Sequence, residues 1–216
     1  MAITEYTSLV AAIKVWCARS DSVFSAQIST FVEMAEDRIY DGYGMKGEPT
    51  YSPPLRTKAM EATATVAITD GSGTLPTDIL EARKIYRSSD QVGLTYIPPE
   101  RWSTVDAIEG AGTPAFYTIE GGTIKVTPSN SDDLSLLYYK RWDDITVGNP
   151  EGPIIEDHGM IYLEACLYEA FSFTQSVDLA LAHAARCRSM IMGANKSAFA
   201  LRYSGPLRVR HRQPIP

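Results

Sequence analysis

Apolar side chains recur at helical spacing twice within the first 41 residues. Tyr6, Leu9, Val10, Ile13, Trp16 and Cys17 fall on one face of a helix for which Thr4 is a suitable N-cap. Ser20-Asp21-Ser22 breaks the pattern. It resumes with Phe24, Ile28, Phe31, Val32, Ala35 and Ile39, while Glu33, Glu36, Asp37 and Asp41 fall opposite. Gly42 and Gly44 close this second helix, because glycine takes the left-handed conformation past a helix end without steric cost. The two segments predict a helical hairpin.

After the breaker-rich Gly47–Pro54 the period shortens to two. Thr63–Thr69 alternates β-branched residues and ends at the turn DGSG. Leu80–Arg87 and Val92–Ile97 read as further strands. Pro98-Pro99-Glu100 opens a short helix through Trp102 and Val105, since proline fits a first helical turn. Phe116–Glu120 and Thr123–Thr127 flank Gly121-Gly122, a two-residue loop suited to a tight hairpin. Leu134–Arg141 is one more strand. A meander-like antiparallel region follows from these strands.

Beyond Gly148–Pro153 the helical spacing returns. Ile161, Ala165, Tyr168 and Phe171 share a stripe, with Met160, Leu163 and Leu167 beside it. After Ser176-Val177-Asp178 a last helix runs from Leu179 towards Ala200, its face drawn through Ala182, Ala185, Met190, Ile191, Ala194, Ala198 and Leu201. Gly205-Pro206 stops it. The expected fold class is α+β. A four-helix core (1–46 and 154–204) carries an inserted small antiparallel β region (55–147) and an extended basic C-terminal tail (205–216).

Charge sharpens this picture. The formal net charge of the 216 residues is −6. Residues 1–178 hold 13 Lys/Arg against all 26 Asp/Glu, a net of −13, whereas 179–216 hold seven basic residues and no acid, a net of +7. An acidic body with a basic end predicts that the end docks on a negative partner. No apolar run approaches the roughly 20 residues of a membrane span, and the start of the chain lacks a signal-peptide pattern, so the mature chain is expected to begin near Met1. Cys17, Cys166 and Cys187 each sit on an apolar helical pattern and read as buried core thiols.

Little in the chain suggests chemistry. No phosphate-binding glycine loop, CxxC, HExxH or GxSxG is present, and His158, His183 and His211 are scattered. No metal or other cofactor is expected. Cys166 and His158 would lie about 12 Å apart along a helix, beyond hydrogen-bond reach. Two acid pairs, Asp132-Asp133 and Asp143-Asp144, allow one enzymatic alternative, a glycosidase, because such enzymes need two carboxylates at a set separation. Equally, both pairs suit turns at strand ends. A DNA-binding accessory role is a third reading, carried by the basic tail alone: the acidic body would repel a duplex, and no sequence-specific recognition signature is present.

Five stretches resemble the head-to-tail adaptor, or head-completion, proteins of tailed phages. The opening ITEYTSLVAAIKVWCARSDSVFSAQISTFVEMAEDRI is similar to that family's first helical hairpin. TLPTDILEARKIY resembles its "LP.DFLE.R.VY" strand entry, and IPPERWSTV stands in the place of its "SPE.F" element. GTPAFYTIEGGTIKVTPSNSDDLSLLYYKR resembles its "G.P..YTIEG..I.L.P.P.....L.YY.R" hairpin and strand. ALRYSGPLRVR resembles its "RYSG.PL..R" C-terminal signature. GEPTYSPPLRTKAMEA and the segment Gly148–Pro153 carry no such likeness. The resemblance implies a non-enzymatic ring subunit of the virion neck, in twelve copies, assembled in the host cytoplasm. The ring would extend the channel for packaged DNA beneath the portal protein and give tail or nozzle proteins a place to attach. It also implies that the C-terminal segment docks the portal, which places Arg202, Tyr203, Leu207, Arg208, Arg210 and Arg212 in or beside the docking element. Another neck or tail-completion protein is the nearest alternative, and a virion-associated peptidoglycan hydrolase using an acid pair is the alternative from a different class.

Overall fold

A computed structural model describes residues 2–109 and 112–202. Helix α1 spans Tyr6–Trp16. Its N-cap is Glu5 rather than Thr4, because Ser8 Oγ turns back to accept the Glu5 N–H at 3.2 Å and fixes the first turn one residue later. Tyr6, Leu9 and Ile13 are buried as the spacing predicts, but Trp16 at the end of the face is half exposed. Helix α2 spans Ser22–Asp41, capped by Asp21, whose Oδ1 accepts the Phe24 N–H at 3.0 Å. Its whole predicted apolar face is buried. Gly42 ends it at φ +79°, where a Cβ would meet the Ser52 carbonyl oxygen at 2.9 Å.

Seven strands follow: β1 Glu61–Val66, β2 Ser72–Thr74, β3 Ile79–Arg87, β4 Thr95–Tyr96, β5 Phe116–Glu120, β6 Thr123–Thr127 and β7 Leu134–Lys140. A 3-10 turn, Lys58–Met60, precedes them, and helix α3, Pro99–Glu109, lies between β4 and β5. Instead of one antiparallel meander the strands make two sheets, β1-β7-β3 and β2-β6-β5-β4. β7 lies between β1 and β3, which pair both its edges, and each of its faces meets a different core: Leu134, Leu136 and Tyr138 line one, and Tyr139 turns to the other. β4 is shorter than Val92–Ile97 and pairs parallel to β5, a geometry the intervening α3 crossover makes possible. That helix runs past Val105 to Glu109. The hairpin β5–β6 has the predicted bounds, with Gly121 at φ +55° and Gly122 at φ +80°. One apolar core serves both sheets, taking Val66, Ile85, Leu134 and Leu136 from the first and Ile124 and Val126 from the second.

The chain ends its described part with α4, Pro153–Phe173, and α5, Val177–Arg202. Every side chain from Ile161 to Leu167 is buried, so α4 is covered on all sides rather than along one stripe. Tyr162 and Glu169, seven residues apart and therefore on one face, meet Glu36 and Arg38 of α2. Glu164 and Phe171, also seven apart, meet His183 of α5. These two faces are about 200° apart around the helix. Gly159 supplies a third contact: a Cβ there would collide with the Ile3 carbonyl oxygen, so only glycine admits the chain entering α1.

On α5 the buried stripe runs through Ala180, His183, Ala184, Cys187, Ile191 and Ala198. Ala182, Ala185, Met190 and Leu201, placed on the inner face by spacing alone, are exposed. The larger core unites residues of α1, α2, α4 and α5 with Leu55, Met60 and Tyr139.

Candidate assembly interface

Charged residues drawn inward hold α2 on α4. Arg38 is 1% exposed and pairs with Glu169 at 3.3 Å. Its guanidinium lies 4.1 Å from the Tyr43 ring centroid and 4.0 Å from that of Tyr168, and it donates to the Thr50 carbonyl at 3.1 Å. Burial raises the Glu169 carboxyl above its ordinary range, against the opposing pull of Arg38. Glu36, assigned by spacing to the solvent face, is instead 1% exposed. Its Oε1 accepts the Ile145 N–H and the Tyr162 O–H, each at 3.1 Å, which ties the segment after β7 to both helices. Burial pushes this carboxyl up to about 7. The Ile145 bond opposes the shift and the nearby Asp144 adds to it.

On the other side of α4, His183 Nδ1 and Glu164 Oε2 are 2.7 Å apart, both buried. The imidazole stacks on Phe171, with centroids 5.2 Å apart and planes 7° apart. Further along α5, Asn195 Nδ2 donates to the Pro54 carbonyl at 2.9 Å, and its Oδ1 accepts the Arg56 N–H at 2.7 Å. One amide thus binds an extended segment as a neighbouring strand would.

Between the helices and the sheets, Arg141 meets Asp37 at 2.9 Å, Asp144 at 3.3 Å and Asp41 at 3.4 Å, over the Tyr40 ring. Trp142 Nε1 donates to the Ala59 carbonyl at 3.0 Å.

These contacts leave the candidate chemistry without a centre. Asp132-Asp133 and Asp143-Asp144 stand at opposite ends of β7, whose seven residues alone span about 24 Å. A glycosidase pair needs roughly 5–10 Å. Asp144 is engaged by Arg141 and Asp132 accepts from Ser89 at 2.8 Å, so both act in turns and seams. Burial pushes the Cys17 thiol up to about 11 and the Cys187 thiol up to about 12, and raises the Cys166 thiol well above its ordinary range. All three are therefore protonated at neutral pH, which suits packing rather than nucleophilic attack. Among the described residues, no three His, Cys, Asp or Glu side chains are grouped to hold a metal ion, and no helix is long and apolar enough to cross a membrane.

Arg202, the first residue of the expected docking element, is the last of α5. Its side chain, and Tyr203, Leu207, Arg208, Arg210 and Arg212, lie outside the described residues. The spacing of apolar residues does not mark Arg38, Glu169, Glu164 and His183 as buried polar positions, and it places Glu36 on the solvent face. One signal was present: Arg38 sits between Ala35 and Ile39 on an otherwise apolar face.

The family model of the SU10 adaptor protein matches residues 4–210, nearly the whole chain. The chain belongs to this family of phage head-to-tail adaptors. No curated protein matches it. Membership makes it a structural adaptor associated with portal and tail components in the virion neck.

Proposed function

We propose that this adaptor forms a homo-oligomeric ring of twelve copies beneath the portal, extends the DNA channel and offers tail proteins an attachment surface. The observation that carries the reading is the family match over residues 4–210. The helical pairs within 1–46 and 154–204 act as one core, which carries the inserted region 55–147 and delivers the segment 205–216. In this reading Arg202, Tyr203, Leu207, Arg208, Arg210 and Arg212 dock the portal through charge-assisted bonds to acidic groups. The absence of any acid after Asp178 supports it. DNA passes through the ring without sequence-specific contact, and the adaptor has no catalytic role.

The test is the mass of the purified adaptor alone and mixed with its cognate portal, read with particle images of the mixture. A ring stacked coaxially on the portal is the expected result. No association at any salt concentration overturns the reading. Removing 207–216 is expected to abolish the association while leaving the helical circular dichroism unchanged.

A further inference from the structure

We propose that neighbouring copies meet through two different helix faces, the outward face of α2 on one and the outward face of α5 on the next. The inference rests on the ring reading above and names the surfaces that would build the ring.

Three observations carry it. The first is direction. α2 and α5 lie against faces of α4 about 200° apart, so their outer surfaces look away from each other. A contact between two such patches is heterologous: each copy uses one and leaves the other free, so copies can be added in sequence, and a ring results where the rotation from copy to copy closes. A patch meeting itself would stop at a dimer.

The second is charge. The outward side of α2 presents Glu33, Asp37 and Asp41, with Arg141 bridging the last two. Glu33 makes no ion pair among the described residues. The exposed side of α5 presents Arg186 and Lys196, which make none among the described residues either, and its sole acid is Asp178 at the first turn. Both faces also expose large apolar side chains, Val23 (65%) and Met34 (47%) on α2 against Leu179 (50%) and Met192 (56%) on α5. Complementary surfaces carried by one chain select a second copy of that chain as the partner.

The third is height. Phe31 packs on Phe173 and Glu36 bonds Tyr162, so α2 runs antiparallel to α4. α5 follows α4 after a three-residue turn and is also antiparallel to it. α2 and α5 therefore point the same way. Glu33 and Arg186 stand within about two helical turns of the same level, and a ring axis along the helices keeps that level between neighbours.

The test uses the full-length adaptor bound to its cognate portal under conditions where rings are imaged. Glu33→Cys and Arg186→Cys are placed in one chain and treated with a flexible bis-maleimide. A ladder of covalent oligomers is expected, with neither single variant exceeding the wild-type background set by Cys17. Covalent dimers from a single variant would reveal an isologous contact and overturn the proposal. Imaged rings without a ladder overturn it too and leave the adaptor reading standing, whereas failure of the wild type to stack on the portal takes down that reading itself. In parallel, Arg186→Glu is expected to lower ring yield several-fold and Glu33→Arg in the same chain to restore it. A loss that the second change leaves unrepaired also counts against the contact.

Discussion

α2 and α5 flank the same central helix, yet they are fastened to it differently. α2 commits charged side chains to the interior: Arg38 between two aromatic rings and a carboxylate, and Glu36 between a backbone N–H and a tyrosine. α5 lies on α4 through small side chains, Ala180, Ala184 and Cys187, with one buried polar pair near its start and one amide clamp near its end. Buried charges resist substitution because removing one partner strands the other. An alanine seam removes less apolar area from water per residue and so carries less energy per residue. The first helix is fixed in place, and the second is held by contacts that can be weakened one at a time.

The largest effect is expected at Arg38. Arg38→Ala leaves Glu169 buried without its cation and should cost about 3–5 kcal/mol in urea unfolding. Arg38→Met with Glu169→Leu should recover most of that loss. Recovery would show that the pair specifies the joint more than it stabilises it, and failure would mean that the stack with Tyr43 and Tyr168 matters more than the charge.

Glu36 comes next. Its carboxyl is raised from the usual range near 4.5 to about 7, so between those pH values the folded chain holds a proton that the unfolded chain has released. That contribution is present at low pH, is lost as pH rises through 7, and amounts to about 3 kcal/mol over the window. Glu36→Gln keeps an acceptor for Ile145 and Tyr162 and should flatten the dependence, leaving the variant more stable than the parent at pH 8. Equal stability curves from pH 4 to 8 would remove Glu36 from the account.

On the α5 side the effects shrink. His183→Ala deletes the Glu164 bond and the stack on Phe171, with an expected loss of about 2 kcal/mol in thermal or urea unfolding. Asn195→Ala frees one carbonyl and one N–H near the surface and should cost about 1 kcal/mol. Its sharper readout is faster hydrogen exchange at the Arg56 amide. If either α5 change matched Arg38→Ala, the contrast between the two helices would fail.

Both early helices and the Gly-Gly hairpin were legible in the sequence because their signals are local. The two sheets were not. β1 and β3 both pair with β7, and Glu61 meets Tyr139 across 78 positions, a contact that alternation alone does not reveal. Spacing alone puts α5 in the wrong register because alanine marks either side of a helix equally well. His183, a polar residue on the inner stripe, was the discriminating position. Glu36 was sent to the surface by its charge, although the groups that satisfy it, Ile145 and Tyr162, come from beyond the β region. The family was recognisable from motif order, while the expected docking residues after Arg202 belong to a segment whose chemistry is visible only as charge.

The Asn195 clamp has a mechanical consequence. Arg202 lies seven residues beyond it, about 10 Å along the helix, and of residues 196–201 between them Ala198 alone is buried. A pull at Arg202 therefore reaches the two amide bonds to Pro54 and Arg56 before it loads the Cys187–Ile191 seam. The end of α5 works like a strap whose buckle is Asn195: a load on it passes to the crossing of residues 54–56 and, through the fully buried Leu55, into the larger core.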